Sequence, residues 1–306
     1  MGLFEYTDGS IPMSSPYIPF EKTPRVISLK RDEGTYTAQI WPIDEDQKFK
    51  GRVIILRNPY EDVVMYRRTI DMLAMSGYET FYYTSWLEKF EEEEMMRKEI
   101  NRIVRMCVDD LDAQPGLSGL NVHMLGSHYT GAQALLYGID GSYRYRLKTI
   151  IAVNPLVMPT SVFRAKSFGM GLRMKVKMKP KSSSDLLINP ELFTADPEWI
   201  TYLKEKQLRH KQSFYTNLHL QNILSLNADL SNKNKSRKFD MKHLLVVCSN
   251  EDALANADAT KEFINNTGAQ QAFFLEYDHG LSNLFVERER VYHKLITDLV
   301  MWLDEN

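Results

Sequence analysis

Apolar positions along the chain follow two alternating rhythms. Thr35 to Trp41 alternates like a half-buried strand, and Arg52 to Leu56 (RVIIL) is a short run suited to a buried one. Between them and the next strand, Val63, Val64, Tyr66, Ile70, Leu73 and Ala74 fall at helical spacing over 62–76, and Gly77 is placed to stop that helix. The rhythm repeats. Glu79 to Thr84 (ETFYYT) predicts a strand, 90–113 a long helix, Val122 to Leu125 a strand, 130–138 a helix and Lys148 to Val153 (KTIIAV) a strand. Strands alternating with helices imply an α/β fold, with a mostly parallel sheet flanked by helices. The pattern breaks near 155 and resumes with a strand at His243 to Cys248, a helix over 256–265, a strand at Ala272 to Tyr277 and a last helix over 286–303. Residues 1–30, rich in Pro and Ser, read as an N-terminal arm. The core is then 31–154 and 236–306, with 155–235 inserted between two sheet strands. Helical patches at Pro197 to Lys206 and Tyr215 to Leu226 make that insertion mainly helical.

Composition narrows the function class. The 306 residues are 43% hydrophobic and 25% charged, as in ordinary globular proteins. With 38 basic and 40 acidic residues the net charge is −2, which gives no reason to expect nucleic acid as a partner. Two cysteines, Cys107 and Cys248, exclude a disulfide framework and sit among apolar neighbours, as small core residues do. No run approaches the ~18 apolar residues of a membrane span, and the acidic start MGLFEYTDGS lacks the features of a signal peptide. The expectation is a cytoplasmic protein.

The segment Val122-His123-Met124-Leu125-Gly126-Ser127-His128-Tyr129-Thr130-Gly131 reads as strand, tight turn and helix start. That is the setting of a nucleophile elbow, in which small residues flank the central one at two positions either side. Centred on Ser127 the flanks are Leu125 and Tyr129, which are too large. Centred on His128 they are Gly126 and Thr130, which fit.

From these residues onward the chain resembles the α/β-hydrolase family, in the branch of lysophospholipases and monoacylglycerol lipases grouped as serine-aminopeptidase-like hydrolases. That branch reads G-H-S-M-G-G where this chain has Gly126-Ser127-His128-Tyr129-Thr130-Gly131. The likeness spans about 35–303, with the insertion as the family's cap and Leu192-Phe193-Thr194-Ala195-Asp196-Pro197 resembling a cap segment. It implies that Asp252, after Leu244 to Cys248, is the triad acid, and that His279, in Tyr277-Asp278-His279-Gly280, is the base.

Two positions depart from the family. His128 stands where the nucleophilic serine belongs. The family's L-H-G-A-G-E-H aligns with Leu56-Arg57-Asn58-Pro59-Tyr60-Glu61-Asp62, so the first oxyanion donor falls on Pro59, which has no N–H. The second donor falls on the N–H of Tyr129, and Arg57 or Asn58 are candidate substitutes. A pocket between cap and sheet, at the C-terminal strand ends, would be lined by Arg57, Asn58, His128, Tyr129, Asp252 and His279. Losing one oxyanion donor costs about 10²–10³ in rate. The combined reading is a pseudo-hydrolase with a ligand-binding or regulatory role, taking a small acyl-like or hydrophobic ligand. Two alternatives are an active acyl-ester hydrolase, using Ser127 or a water held by His128 and His279, and a metal- or partner-binding module. No cofactor motif or metal-ligand spacing is present. A last feature is the stretch 164–181, with Arg164, Lys166, Arg173, Lys175, Lys177, Lys179 and Lys181 and no acidic residue. Met170, Met174 and Met178 recur there at helical spacing, although the alternation also fits an exposed strand. It suggests peripheral contact with an anionic membrane or an acidic protein. The neighbouring histidine, His123, reads as a core residue of its strand.

Overall fold

This computed structural model of the protein describes residues 15–31, 34–58, 61–84, 93–161, 172–179, 189–210 and 217–306. Among the described residues eight strands form one sheet: β1 (Arg25–Arg31), β2 (Gly34–Trp41), β3 (Gly51–Leu56), β4 (Tyr78–Tyr83), β5 (Val122–Ser127), β6 (Leu147–Val153), β7 (His243–Ser249) and β8 (Gln271–Tyr277). Their order is β1-β2-β4-β3-β5-β6-β7-β8. Only the β1–β2 and β2–β4 pairs are antiparallel. The other neighbours run parallel, so β3 to β8 present their C-terminal ends at one edge of the sheet.

The central strands β3, β5 and β7 are buried along their whole length, which is why they read as continuous apolar runs. Helix α1 (Val63–Met75) starts at Asp62, whose carboxylate accepts the N–H of Met65. It ends before Gly77, where φ is +88°. An added Cβ there would lie 2.5 Å from the Lys48 carbonyl, so only glycine fits. Further helices are α2 (Glu93–Asp112), α3 (His128–Asp140), α8 (Ala257–Asn266) and α9 (Glu289–Glu305), with α4 to α7 in the insertion. The sheet begins earlier than the sequence pattern predicts. Residues 25–30 of the expected arm belong to β1, and Tyr17 and Phe20 donate hydrogen bonds to Asp71 of α1. Residues 1–14 lie outside the described part.

Between β6 and β7 every described element is helical: α4 (Leu172–Met178), a 3₁₀ turn (Pro190–Leu192), α5 (Pro197–His210), α6 (Asn217–Leu230) and α7 (Lys233–Ser236). Two polar anchors tie this insertion to the core. Asn227 of α6 donates to the Leu156 and Val157 carbonyls at 2.7 and 2.8 Å. Tyr202 and Lys206 of α5 both donate to Asp62, at 3.0 and 2.7 Å. Burial raises the Asp62 carboxyl, but Lys206, Tyr202 and the Met65 N–H outweigh it and hold the group below its ordinary range. Within the basic stretch, 172–178 is helix rather than strand, with Met174 and Met178 exposed; its flanks, 164–171 and 180–181, lie outside the described residues. Both cysteines are buried, and burial pushes the Cys107 thiol up to about 12. Among the described residues no helix is long and apolar enough to cross a membrane.

Candidate functional site

The turn from β5 into α3 places a non-glycine residue in the left-handed region of the backbone. His128 has φ +46°, a left-handed conformation that non-glycine side chains rarely adopt and that costs on the order of 1–3 kcal/mol. The packing around it explains the small flanks read from the sequence. A Cβ added to Gly126 would stand 2.5 Å from the Thr130 carbonyl oxygen. The elbow is therefore centred on His128, and its side chain is the one presented at the tip.

A buried polar network fixes this turn from behind. Asn58, fully buried after β3, donates through Nδ2 to Ser127 Oγ (2.9 Å) and Glu61 Oε2 (3.0 Å). Its Oδ1 accepts the Thr130 N–H at 3.2 Å, capping the start of α3. Glu61 also accepts from the Asn58 N–H, from Tyr66 and from Asn283 Nδ2. Burial and the Glu61 carboxylate drive the Tyr66 phenol well above its ordinary value, so it serves as a fixed donor. Arg57 spends its guanidinium on the carbonyls of Glu61 (2.8 Å) and Thr84 (3.0 Å).

These contacts decide the fate of several sequence candidates. Ser127 is buried on the back of the elbow, bonded to Asn58 and 3.4 Å from Tyr66, with no imidazole among its partners. Arg57 and Asn58 are also buried; the Arg57 terminal nitrogens and the Asn58 amide donate to the protein's own groups, while Arg57 Nε has no partner among the described residues. Tyr129 is buried in the first turn of α3. Pro59 lies outside the described residues.

The expected acid and the expected base do not meet. Asp252 follows β7, 8% exposed, and its Oδ1 accepts the Leu254 N–H (2.8 Å) and the hydroxyl of Ser282. His279, by contrast, is on the surface, with its side chain 68% exposed and Nδ1 3.5 Å from Glu251. The side chain bonded to Asp252 is that of Ser282, three positions further along the same loop. The loop turns at Gly280, so His279 points outward while Ser282 is fully buried. Asn154 secures this arrangement from the end of β6. It donates to the Leu281 and Ser282 carbonyls (3.2 and 2.8 Å) and accepts the Ser249 N–H (2.7 Å).

The front of the elbow is closed by the insertion. The Phe193 ring lies edge-on to the His128 imidazole, with centroids 6.1 Å apart, and both residues are about 1% exposed. The backbone around Phe193 is laced to the loop that carries Ser282. Ser282 N–H donates to the Leu192 carbonyl (3.3 Å) and Asn283 N–H to the Phe193 carbonyl (2.8 Å). Thr194 donates to the Val286 carbonyl at 2.7 Å, and buried Glu287 accepts the N–H groups of Ala195 and Leu281. Among the described residues neither ring nitrogen of His128, nor Asp252 Oδ2, has a hydrogen-bond partner.

Ser282, Asn154, Glu61 and Phe193 escaped the sequence reading. Asn154-Pro155 is a turn dipeptide, and Ser282-Asn283 precedes the apolar Leu284-Phe285-Val286; both were usable signals. Cavities do occur, but elsewhere. One of 140 Å³ lies between α2 and α3 near Gln133, and a groove of 570 Å³ lies between β1 and α2. Among the described residues no group of three or more His, Cys, Asp or Glu could hold a metal ion.

No family model matches the chain. It is 18% identical to monoglyceride lipase of Saccharomyces cerevisiae over 95% of this chain and 96% of that protein. A soluble variant of the same yeast lipase, solved with a substrate analogue, superposes with a TM-score of 0.83 at 16% identity, covering 96% of this chain and 99% of the other. The monoacylglycerol lipase of Paleococcus ferrophilus gives a TM-score of 0.68 at 13% identity over 88% and 98% of the two chains. A thermostable carboxyl esterase from Bacillus coagulans gives 0.69 at 11% identity over 92% and 98%.

Proposed function

From an α/β-hydrolase fold of monoglyceride-lipase-like architecture, we propose a pseudo-hydrolase: a cytoplasmic protein that uses the inherited compartment for ligand binding or regulation. One observation carries this. A serine hydrolase needs a hydroxyl at the elbow tip and an imidazole on the acid. Here the imidazole is at the tip, on His128, and the hydroxyl is on the acid, from Ser282. The two residue types have traded positions. The acid then has no imidazole to orient, and the tip offers a ring where a substrate carbonyl would sit. Pro59 at a donor position of the oxyanion hole supports the same reading.

Apolar Phe193 against the His128 ring, with polar atoms of His128 and Asp252 left without a partner among the described residues, supports a small acyl-like ligand with a polar head. The exposed methionines and lysines of α4 suit an anionic surface, membrane or protein, as its docking partner. The reading of an active enzyme with an adapted site fares worse. Ser127 has Asn58 and Tyr66 for neighbours, and His279 is engaged with Glu251 at the surface, away from any water on His128.

The test pairs a fluorophosphonate probe with a panel of p-nitrophenyl and monoacylglycerol esters on the purified chain. No labelling and background turnover are expected. Turnover at ordinary enzyme rates that disappears on Ser127→Ala would overturn the proposal.

A further inference from the structure

The sheet has two outer strands, and they are built differently. Strand β1, RVISLKR, carries three basic residues in seven, the usual device that keeps a sheet edge from pairing with another chain. Strand β8, QAFFLEY, has no lysine, arginine or proline, and its pairing with β7 is regular over all seven residues. Among the described residues no strand pairs with its other side. Phe273 is 54% exposed there and Met301 of α9 55% exposed. A long, regular and apolar edge is a template for further pairing.

The side chains along β8 name the occupant. Phe274 faces α8, where Lys261 lies over its ring at 5.6 Å, and Phe273 faces α9, its ring tilted against Trp302 with centroids 5.2 Å apart. Alternation places Glu276 on the Lys261 side. Both Glu276 and Lys261 are exposed, and among the described residues neither forms an ion pair. Consider a second β8 laid antiparallel about a two-fold axis at Phe274. Phe273 then meets Leu275 of the copy, Phe274 meets itself, and Ala272 meets Glu276. Glu276 is also diagonal to Phe274 of the copy and so reaches toward the copy's Lys261, a pairing that occurs twice by symmetry. The central positions pair apolar with apolar, Glu276 stands opposite the small Ala272, and each lone charge reaches its opposite.

We propose that β8 is a self-pairing edge, and that two copies of this chain join their sheets there into a continuous sixteen-stranded one. The interface is about 23 Å of strand flanked by α8 and α9. It lies on the far side of β7 from the elbow strand, so it needs no change in the compartment around His128.

Sedimentation velocity on the full chain between 1 and 50 μM tests this, against a monomer mass of 35.6 kDa. A concentration-dependent dimer is expected, with amides of 271–277 gaining hydrogen-exchange protection as it forms. Phe273→Lys and Glu276→Lys should each weaken it about tenfold or more, and adding Lys261→Glu to Glu276→Lys should restore most of the loss. Thermal melts check that each variant folds. A monomer throughout the range, a dimer indifferent to these substitutions, or a dimer without protection in β8 would overturn the proposal.

Discussion

Exchanging two residues should return the site to a serine-hydrolase order. The double variant His128→Ser/Ser282→His conserves composition and total side-chain volume while moving the hydroxyl to the tip and the imidazole to Asp252. Each single change is unbalanced. His128→Ser leaves a void of roughly 60 Å³, worth about 1.5 kcal/mol at ~24 cal/mol per Å³, but it also removes two orphaned ring nitrogens whose burial costs about 1–3 kcal/mol. The terms nearly cancel, so its stability should barely move. Ser282→His forces a ring into a fully buried site beneath the Leu192 carbonyl and should cost about 1–3 kcal/mol. In the double variant the void receives the ring, and a double-mutant cycle of denaturant midpoints should show a favourable coupling of about 1–2 kcal/mol. Chemistry should be still less additive. Lacking either the nucleophile or the base of a triad costs about 10⁶ in rate, so neither single variant gains turnover. The double variant should take a fluorophosphonate at position 128 and hydrolyse activated esters. Its rate should stay about 10²–10³ below an intact enzyme for want of the donor at Pro59. A His128→Ser variant that turns over as fast as the double, or a folded double variant that does not label, would refute the assignment of Ser282 to the base position.

Other expectations follow from the same contacts. Asn58→Leu should lower stability by about 2–4 kcal/mol in urea melts, because it strands Glu61, Ser127 and the Thr130 N–H at once; a loss under 1 kcal/mol would mean the network does not fix the elbow. Phe193→Ala should cost about 3–5 kcal/mol and expose the compartment to a fluorescent apolar dye, whereas an unchanged dye signal would contradict the closure described. His123, buried in β5 against Thr149, has its imidazole pushed down to about 3 by burial first and by Lys148 and His243 next. The unfolded chain takes that proton up near 6.5. The benefit of a neutral ring is therefore complete above about 6.5 and is lost as pH falls toward 3, by up to about 1.4 kcal/mol per unit. His123→Gln should flatten that acid limb, and parallel slopes for both proteins between pH 6.5 and 4 would show the reasoning wrong.

How much of this was legible in the sequence depended on whether a residue obeys a repeating pattern. The buried strands β3 to β7 announce themselves because a sheet covered on both faces demands apolar runs. The elbow was legible for a steric reason, since only the register with Gly126 and Thr130 leaves room for the turn. The edge strand β1 was missed because RVISLKR, half exposed and charged, carries little apolar signal. The base position failed for another cause. Loops have no period, so Asp278-His279-Gly280 drew attention through the family resemblance alone, and whether a loop residue points in or out is decided by the turn at Gly280 and by Asn154 reaching across from β6. Nothing about a serine three residues later marks it as the group on the acid. The apolar Leu284-Phe285-Val286 beyond it, all buried, was the nearest clue that this loop dives inward.

The network behind the elbow separates architecture from chemistry. Asn58, Glu61, Tyr66 and Thr130 bear the load of a strained turn, and none of them depends on what projects from its tip. A scaffold organised in this way tolerates trial at position 128: the side chain there can be replaced, and the business of the compartment with it, while the backbone that displays it stays put.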